Sequence, residues 1–479
     1  MKLFGAGKPD HPMAERKDAT RLLGELPAQD LKALEELAHW HESVGAAEGF
    51  KPEERVHRLT AIDEAAQPRL RKLSRDYLTS ARTGGSRAQE NLIWARVHEY
   101  WRQAGQAFAR AIDEKKPQPP VVLAALRALA QQLKWQQLKY GPVDLAVWGL
   151  MNRLFALAES RGIAEAQPEL LKAAMFSAAS PESLLVPDAE LAERVIAELA
   201  PGFVLAKAAA PELPYWIDLG RGMAPARCTQ APQQPAPGLR FMGAGAALGR
   251  LTAMIQATEA KRVVPPELKL GAEVDAESVL TVMRHLASYW APAARERKHK
   301  RHSMKSSLKI AHGFNGVLEA LGGMSEDSLD FGGKPAGESW QIENVSAGGF
   351  GALVMVAKSE WLKVGALVAA QPDGAPWQVG TVRRMTKVSG QEVRVGVETL
   401  SRSPALSEFA LGTGQAQGVL LPAAAPGDAA IALRAGVYAR GENLEASIGG
   451  RQHVYMPQGV AVRGDDYEIF RFKEMVRES

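Results

Sequence analysis

Seven Lys and Arg residues against one acid crowd the stretch RERKHKRHSMKSSLK, residues 295–309, in a chain whose net charge is only +4. Two of its arginines, Arg297 and Arg301, stand four apart. After a further 42 residues the chain reads NVSAGG, which supplies Asn344, Ser346 and Gly349. A guanidinium is a planar fork that gives parallel hydrogen bonds to an anionic oxygen pair or to the O6 and N7 acceptors of a purine, a geometry lysine lacks. Asn offers an amide donor and a carbonyl acceptor, Ser a small hydroxyl, and Gly a backbone free to adopt positive φ and to approach a ligand closely. Taken separately, the two groups have plainer readings. The arginines suit a solvated basic linker or a nucleic-acid arm, and Asn, Ser and Gly suit an ordinary tight turn.

The elements around these residues are legible from periodicity. From about 28 to 200 apolar residues recur at helical spacing, with Val56, Leu59, Ile62, Ala66, Leu70, Leu73 and Tyr77 on one stripe and Ile93, Val97, Tyr100, Ala104 and Phe108 on another. TGGS (83–86), DEKKPQPP (113–120) and YGP (140–142) punctuate the pattern, which predicts antiparallel helices joined by short turns. No repeat period emerges. Between about 201 and 242, FVLAK, YWIDL and LRFM read as short strands around the Pro-rich loop TQAPQQPAPG, and helices follow at about 245–261 and 274–290. Past Arg301 six runs rich in Val and Ile, SLKIAHGF, SWQIENV, GFGALVMV, GALVAAQ, WQVGTVRRMTKV and QEVRVGVETL, predict a small antiparallel barrel or sandwich. GGMSEDSLDFGGKPAGE between the first two reads as a flexible loop by composition. A second β segment, about 415–475, has a hairpin turn at the Gly449-Gly450 pair.

Arg-x-x-x-Arg just before a barrel, with Asn-x-Ser-x-x-Gly between its second and third strands, resembles the PilZ domain, the bacterial receptor fold for cyclic di-GMP. The runs WQIENVSAGGFGALV and WQVGTVRRMTKVSGQEVRVGVETLS are similar to that family's strands in order and spacing, over residues 295–402. The resemblance implies a binding set of Arg297, Arg301, Asn344, Ser346 and Gly349, with Arg295 and Lys300 as accessory contacts to phosphate. It also implies a sensor with no catalytic residues, no metal and no cofactor. The 42 residues between Arg301 and Asn344 exceed what a compact family member needs. The expected fold class is α+β multidomain: a tail (1–27), a helical domain (28–200), a mixed β-hairpin and helical region (201–294), a PilZ-like six-stranded antiparallel β-barrel (295–402) and a small C-terminal β module (403–479). Two rivals are a degenerate PilZ-like adaptor acting through protein contacts and a nucleic-acid-binding protein using the basic run.

The rest of the chain narrows the field. Lys plus Arg exceeds Asp plus Glu only by 58 to 54, so the basic excess is local and nucleic acid is an unfavoured partner. The single Cys228 forms no disulfide framework, the N-terminal stretch lacks the apolar run of an export signal, and the most apolar helix is cut by Asp144, Asn152 and Arg153. A cytoplasmic protein without a membrane span is expected, its helical region engaging a protein partner. Other features read as structural. Arg383 and Arg384 are neighbours on a strand, so one is expected inward or interfacial and one exposed. GAGAALG (243–249) has GxGxxxG spacing without a parallel-strand context. His39 and His41 point about 200° apart on a helix, wrong for sharing a metal, and read as surface or core-edge residues. Trp94, Trp101, Trp135 and Trp148 read as core packing.

Overall fold

The computed structural model describes residues 9–83, 85–232, 234, 236–271, 274–293, 299–322, 338–355, 361–412, 414–422, 427–439 and 441–477. The chain divides into two compact units, Met1–Pro181 with Val186–Arg295, and Glu182–Leu185 with Glu296–Ser479.

In the first unit the periodic stretches form α1 (Arg16–Gly24), α2 (Asp30–Ala46), α3 (Pro52–Thr83), α4 (Arg87–Ala111), α5 (Pro119–Leu138), α6 (Leu145–Ser160), α7 (Ala166–Ala178) and α8 (Val186–Leu199). Both stripes face the core: Leu59 through Tyr77 on α3, and Ile93, Val97, Tyr100, Ala104 and Phe108 on α4, are buried, while Val56 is half-buried. Punctuation works where a cap exists; Asp144 accepts hydrogen bonds from the amides of Ala146 and Val147 and so starts α6. The stretch read as a tail carries α1, and the buried Arg58 holds the chain before it by donating to the carbonyls of Met13 (2.9 Å) and Ala14 (3.1 Å). His39 is exposed as expected. His41, in contrast, is fully buried, because Tyr100 on α4 gives its Nε2 a partner at 3.1 Å inside the core.

The β excursion is one antiparallel sheet of β1 (Val204–Ala206), β2 (Tyr215–Asp218), β3 (Ala226–Arg227) and β4 (Leu239–Gly243), in the order β1-β4-β2-β3. The glycine-rich GAGAALG leaves β4 for α9 (Ala246–Lys261), and β4 pairs antiparallel on both sides, so the parallel crossover of a dinucleotide fold is missing there. Buried Asn152 of α6 donates to the carbonyls of Arg221 (3.0 Å) and Met223 (3.2 Å), fastening this sheet to the helices. The unit's last helix is α10 (Ala276–Trp290).

The second unit is α11 and two closed barrels. The first barrel comprises β5 (His302–His312), β6 (Glu338–Ser346), β7 (Gly349–Met355), β8 (Leu367–Pro372), β9 (Gln378–Lys387) and β10 (Glu392–Ser401). The second comprises β11 (Ala405–Leu411), β12 (Gly414–Pro422), β13 (Asp428–Arg434), β14 (Leu444–Ile448), β15 (Arg451–Arg463) and β16 (Tyr467–Arg477). The fold class is therefore the expected α+β multidomain one, with a correction of scale: the C-terminal β module is itself a closed six-stranded barrel. Counted from its own first strand, each ring runs 1-2-3-6-5-4, so the two barrels share one topology. Gly449 and Gly450, both at positive φ, make the two-residue turn between β14 and β15.

Between the barrels lies α11 (Gly313–Ala320), whose Phe314, Val317 and Leu318 join Leu367 and Val379 of the first barrel and Val419, Tyr467 and Ile469 of the second in one core. Polar groups finish this seam. The Tyr467 hydroxyl donates to the carbonyl of Gly365 (2.8 Å) and lies 3.2 Å from the Thr381 hydroxyl, while the Phe314 amide donates to Asp466 (2.6 Å). The insert read as a flexible loop falls, apart from Gly322 and Glu338, outside the described residues.

Candidate ligand-binding corner of the first barrel

The hairpin between β6 and β7 forms the corner at which the singled-out residues converge. Strand alternation alone would point Asn344 into the barrel beside buried Ile342, two positions earlier. A register shift between Ile342 and Asn344 prevents this: Ile342 pairs with buried Ala352, whereas Asn344 pairs with the next outward residue, Gly351. The bulge thereby turns Asn344, and with it Ser346, onto the outer face.

Glycine lets Asn344 lie flat there. A Cβ on Gly351 would sit only 2.9 Å from Asn344 Nδ2 and 3.1 Å from Oδ1. The row continues across the sheet as Asn344, Gly351, Gly396 and Arg384, a two-glycine floor with a polar residue at each end. One step along, Ser346 pairs with Gly349 and donates from its Oγ to the Gly349 carbonyl at 3.2 Å. Gly349 is obligatory on two counts: its φ is +148°, and a Cβ would meet the Val397 carbonyl oxygen at 2.0 Å.

The basic segment reaches this corner. His302 pairs with Val345, so Arg301, the next residue outward and exposed, lies level with Ser346. His299 passes closer still, since a Cβ on Gly348 would be 3.0 Å from its Cδ2. Lys300 is exposed. The structure thus brings Arg301, Asn344, Ser346 and Gly349 together within two adjacent rows of the barrel, while Arg297 and Arg295 lie outside the described residues.

Two features escaped the sequence. Arg402, which follows β10, donates to the carbonyls of Ala347 (2.9 Å) and Ser346 (3.4 Å) and so holds the turn from beneath; no local pattern marks it. Arg383 and Arg384 are both exposed, correcting the expectation of one inward arginine. The cause is a second register shift: Gly396 pairs with Arg384 and Val397 with Val382, leaving Arg383 as the extra residue of a bulge. The nearby carboxylates are neutralised. Glu343 takes two hydrogen bonds from Arg394, which hold its carboxyl below the usual range, and Glu398 takes one from Arg383 at 2.6 Å. With Asn rather than an acid at 344, the face presents donors to an anion without an unpaired carboxylate of its own row to repel it. Among the described residues no cluster of His, Cys, Asp or Glu could hold a metal, and no helix is long and apolar enough to cross a membrane.

Comparison with known families bears on the other unit. Residues 17–210 match the family model described as the N-terminal domain of the cyclic-di-GMP receptor FimW. The match covers the eight helices and the first strand and stops short of both barrels. No curated protein matches the sequence. The matched family is named for a cyclic-di-GMP receptor, and the match covers about two fifths of this chain.

Proposed function

We propose that this chain is a cyclic di-GMP receptor that binds its ligand on the outer corner of the first barrel, with no catalytic role. Arg297 and Arg301 supply two guanidinium forks, one able to read a guanine O6/N7 edge and the other a phosphate. Asn344 and Ser346 meet a base edge or phosphate from the sheet, and Gly349 keeps the turn low enough for the ligand to approach. Arg295 and Lys300 add cationic contacts to phosphate. The observation that carries this reading is the placement of Arg301 level with Ser346, on the face that the bulge at Asn344 has turned outward. The helical match to a receptor of the same ligand supports it independently.

Binding orders the arginine segment onto the barrel, and the resulting difference in affinity between two arrangements of the helical unit and the barrels is what passes the signal to a protein partner. Isothermal titration of the full chain with cyclic di-GMP tests the assignment. Saturable heat is expected from the wild type and its near-complete loss from Arg297→Ala plus Arg301→Ala; equal heat from both proteins would remove these arginines from the site.

A further inference from the structure

Three consecutive carbonyls of the turn after β6 are held from one side. Arg402 donates to those of Ser346 (3.4 Å) and Ala347 (2.9 Å), both from Nη2, and the Thr399 amide donates to that of Gly348 at 3.1 Å. The arginine is itself delivered by a stiff piece of chain. It opens the three-residue connection from β10 to β11, in which the Ser403 amide donates to Ser401 Oγ at 3.2 Å and Pro404 fixes its own φ.

A trans peptide aims its N–H opposite to its C=O. With the carbonyls of Ser346 and Ala347 turned to Arg402, the amides of Ala347 and Gly348 turn away from it, and among the described residues neither meets an acceptor. The sheet order β10-β7-β6-β5 puts β5 on the side they turn to. There the basic segment arrives, with Arg301 level with Ser346 and the His299 ring against Gly348. Two adjacent main-chain donors beside an arginine suit one anionic group, since the fold holds them in place and a charged acceptor strengthens each bond. The carboxylates of the neighbouring rows, Glu343 and Glu398, are already bonded to Arg394 and Arg383.

We propose that Arg402 is a positioning residue for ligand binding: without touching the ligand, it presents the Ala347 and Gly348 amides as a joint donor site for one phosphate of cyclic di-GMP. The inference deepens the reading above and rests on its placing the ligand at this corner. Ala347 makes the donors themselves testable. It is the first central residue of the turn Ser346 to Gly349, its φ is not positive, and Ser346 before it is extended strand, which is where proline fits. Ala347→Pro therefore deletes one N–H and keeps the turn.

Isothermal titration of the full chain with cyclic di-GMP compares the wild type with Arg402→Gln, Ala347→Pro and the double variant. Each single change is expected to weaken binding about tenfold, and the double variant only about twentyfold, because both act on the same donor site. A roughly hundredfold loss in the double variant would mean that Arg402 acts separately from the amides and would overturn the proposal. Arg402→Lys, a second route should Arg402→Gln fold poorly, keeps the charge without the planar fork and is expected to lose about threefold. Wild-type affinity in Arg402→Lys would show a charge effect only and equally overturn it. If Arg297→Ala plus Arg301→Ala abolishes binding while Arg402→Gln and Ala347→Pro bind as the wild type does, this inference fails alone. If that pair variant matches the wild type, or the wild type gives no heat, the corner reading fails and this inference with it.

Discussion

The two barrels have the same strand order, yet the described residues around the connection between their second and third strands differ in chemistry. In the first, the turn between second and third strands is built from Ser346, Gly348 and Gly349, with Arg301 level with it and neutral Asn344 turned outward by a bulge. In the second, Pro422 and Asp428 flank the equivalent connection and line a hollow of about 540 Å³ together with Leu400, Leu421, Ile469 and Phe472. Two of its charges are paired, Asp428 accepting from Lys473 at 3.0 Å. The arginine before its first strand, Arg402, donates instead to the turn of the first barrel. A shared topology therefore supplies a scaffold; the chemistry depends on a few residues at one corner.

The widest gap between the barrels is expected in ligand affinity. Arg297→Ala plus Arg301→Ala should cost about 4 kcal/mol, taking about 2 kcal/mol for each bidentate contact, when titrated with cyclic di-GMP. A basic pair lining the second barrel's hollow, Arg471→Ala plus Lys473→Ala, should leave affinity within about twofold. A loss from the second pair as large as from the first would erase the distinction drawn between the corners.

Backbone geometry gives the next effect. Gly349→Val places a side chain against the Val397 carbonyl and should lower stability by about 3 kcal/mol in denaturant unfolding. Gly427→Ala, at the second barrel's corner, has φ +75° but meets nothing nearer than 3.6 Å, and should cost only about 1 kcal/mol. Similar losses at both positions would mean that the first corner is no more constrained than the second.

Tyr467→Phe probes what the barrels share. It leaves the Gly365 carbonyl and Thr381 hydroxyl without their buried partner and should cost about 1 to 2 kcal/mol. Calorimetry should then show the unfolding of the second unit broaden or split; an unchanged single transition would mean that the apolar seam around α11 suffices. The smallest effect is expected of Arg384→Ala, at the far end of the glycine floor from Asn344, which should weaken cyclic di-GMP binding by about 1 kcal/mol. Arg383→Ala, on the same strand but tied to Glu398, should change it less.

Much of this architecture is written locally. In the first barrel β10, EVRVGVETLS, alternates Val with polar or small residues, while β7 and β8, GFGALVM and LVAAQP, are short apolar runs bounded by turn signals. The helical stripes are equally plain. What escaped depends on residues far away in sequence. The strand β11, ALSEFAL, precedes the β segment read at about 415–475, and pairing with its neighbours makes it a strand. Helix α11 follows a strand without a break and is held by apolar residues of both barrels. At the site, residue types and spacing marked Arg301, Asn344, Ser346 and Gly349. The two bulges that aim Asn344 outward and expose both Arg383 and Arg384 depend on register, which no single strand encodes. His41 reads as a surface or edge residue until Tyr100, 59 positions later, folds against it.

Amide hydrogen exchange of the full chain, with and without saturating cyclic di-GMP, tests the central claim most directly. The account predicts slowed exchange in residues 295–303 and 344–351, with residues 419–432 of the second barrel unchanged. Protection confined to the second barrel, or to the helices with the 344–351 turn unaffected, would contradict it.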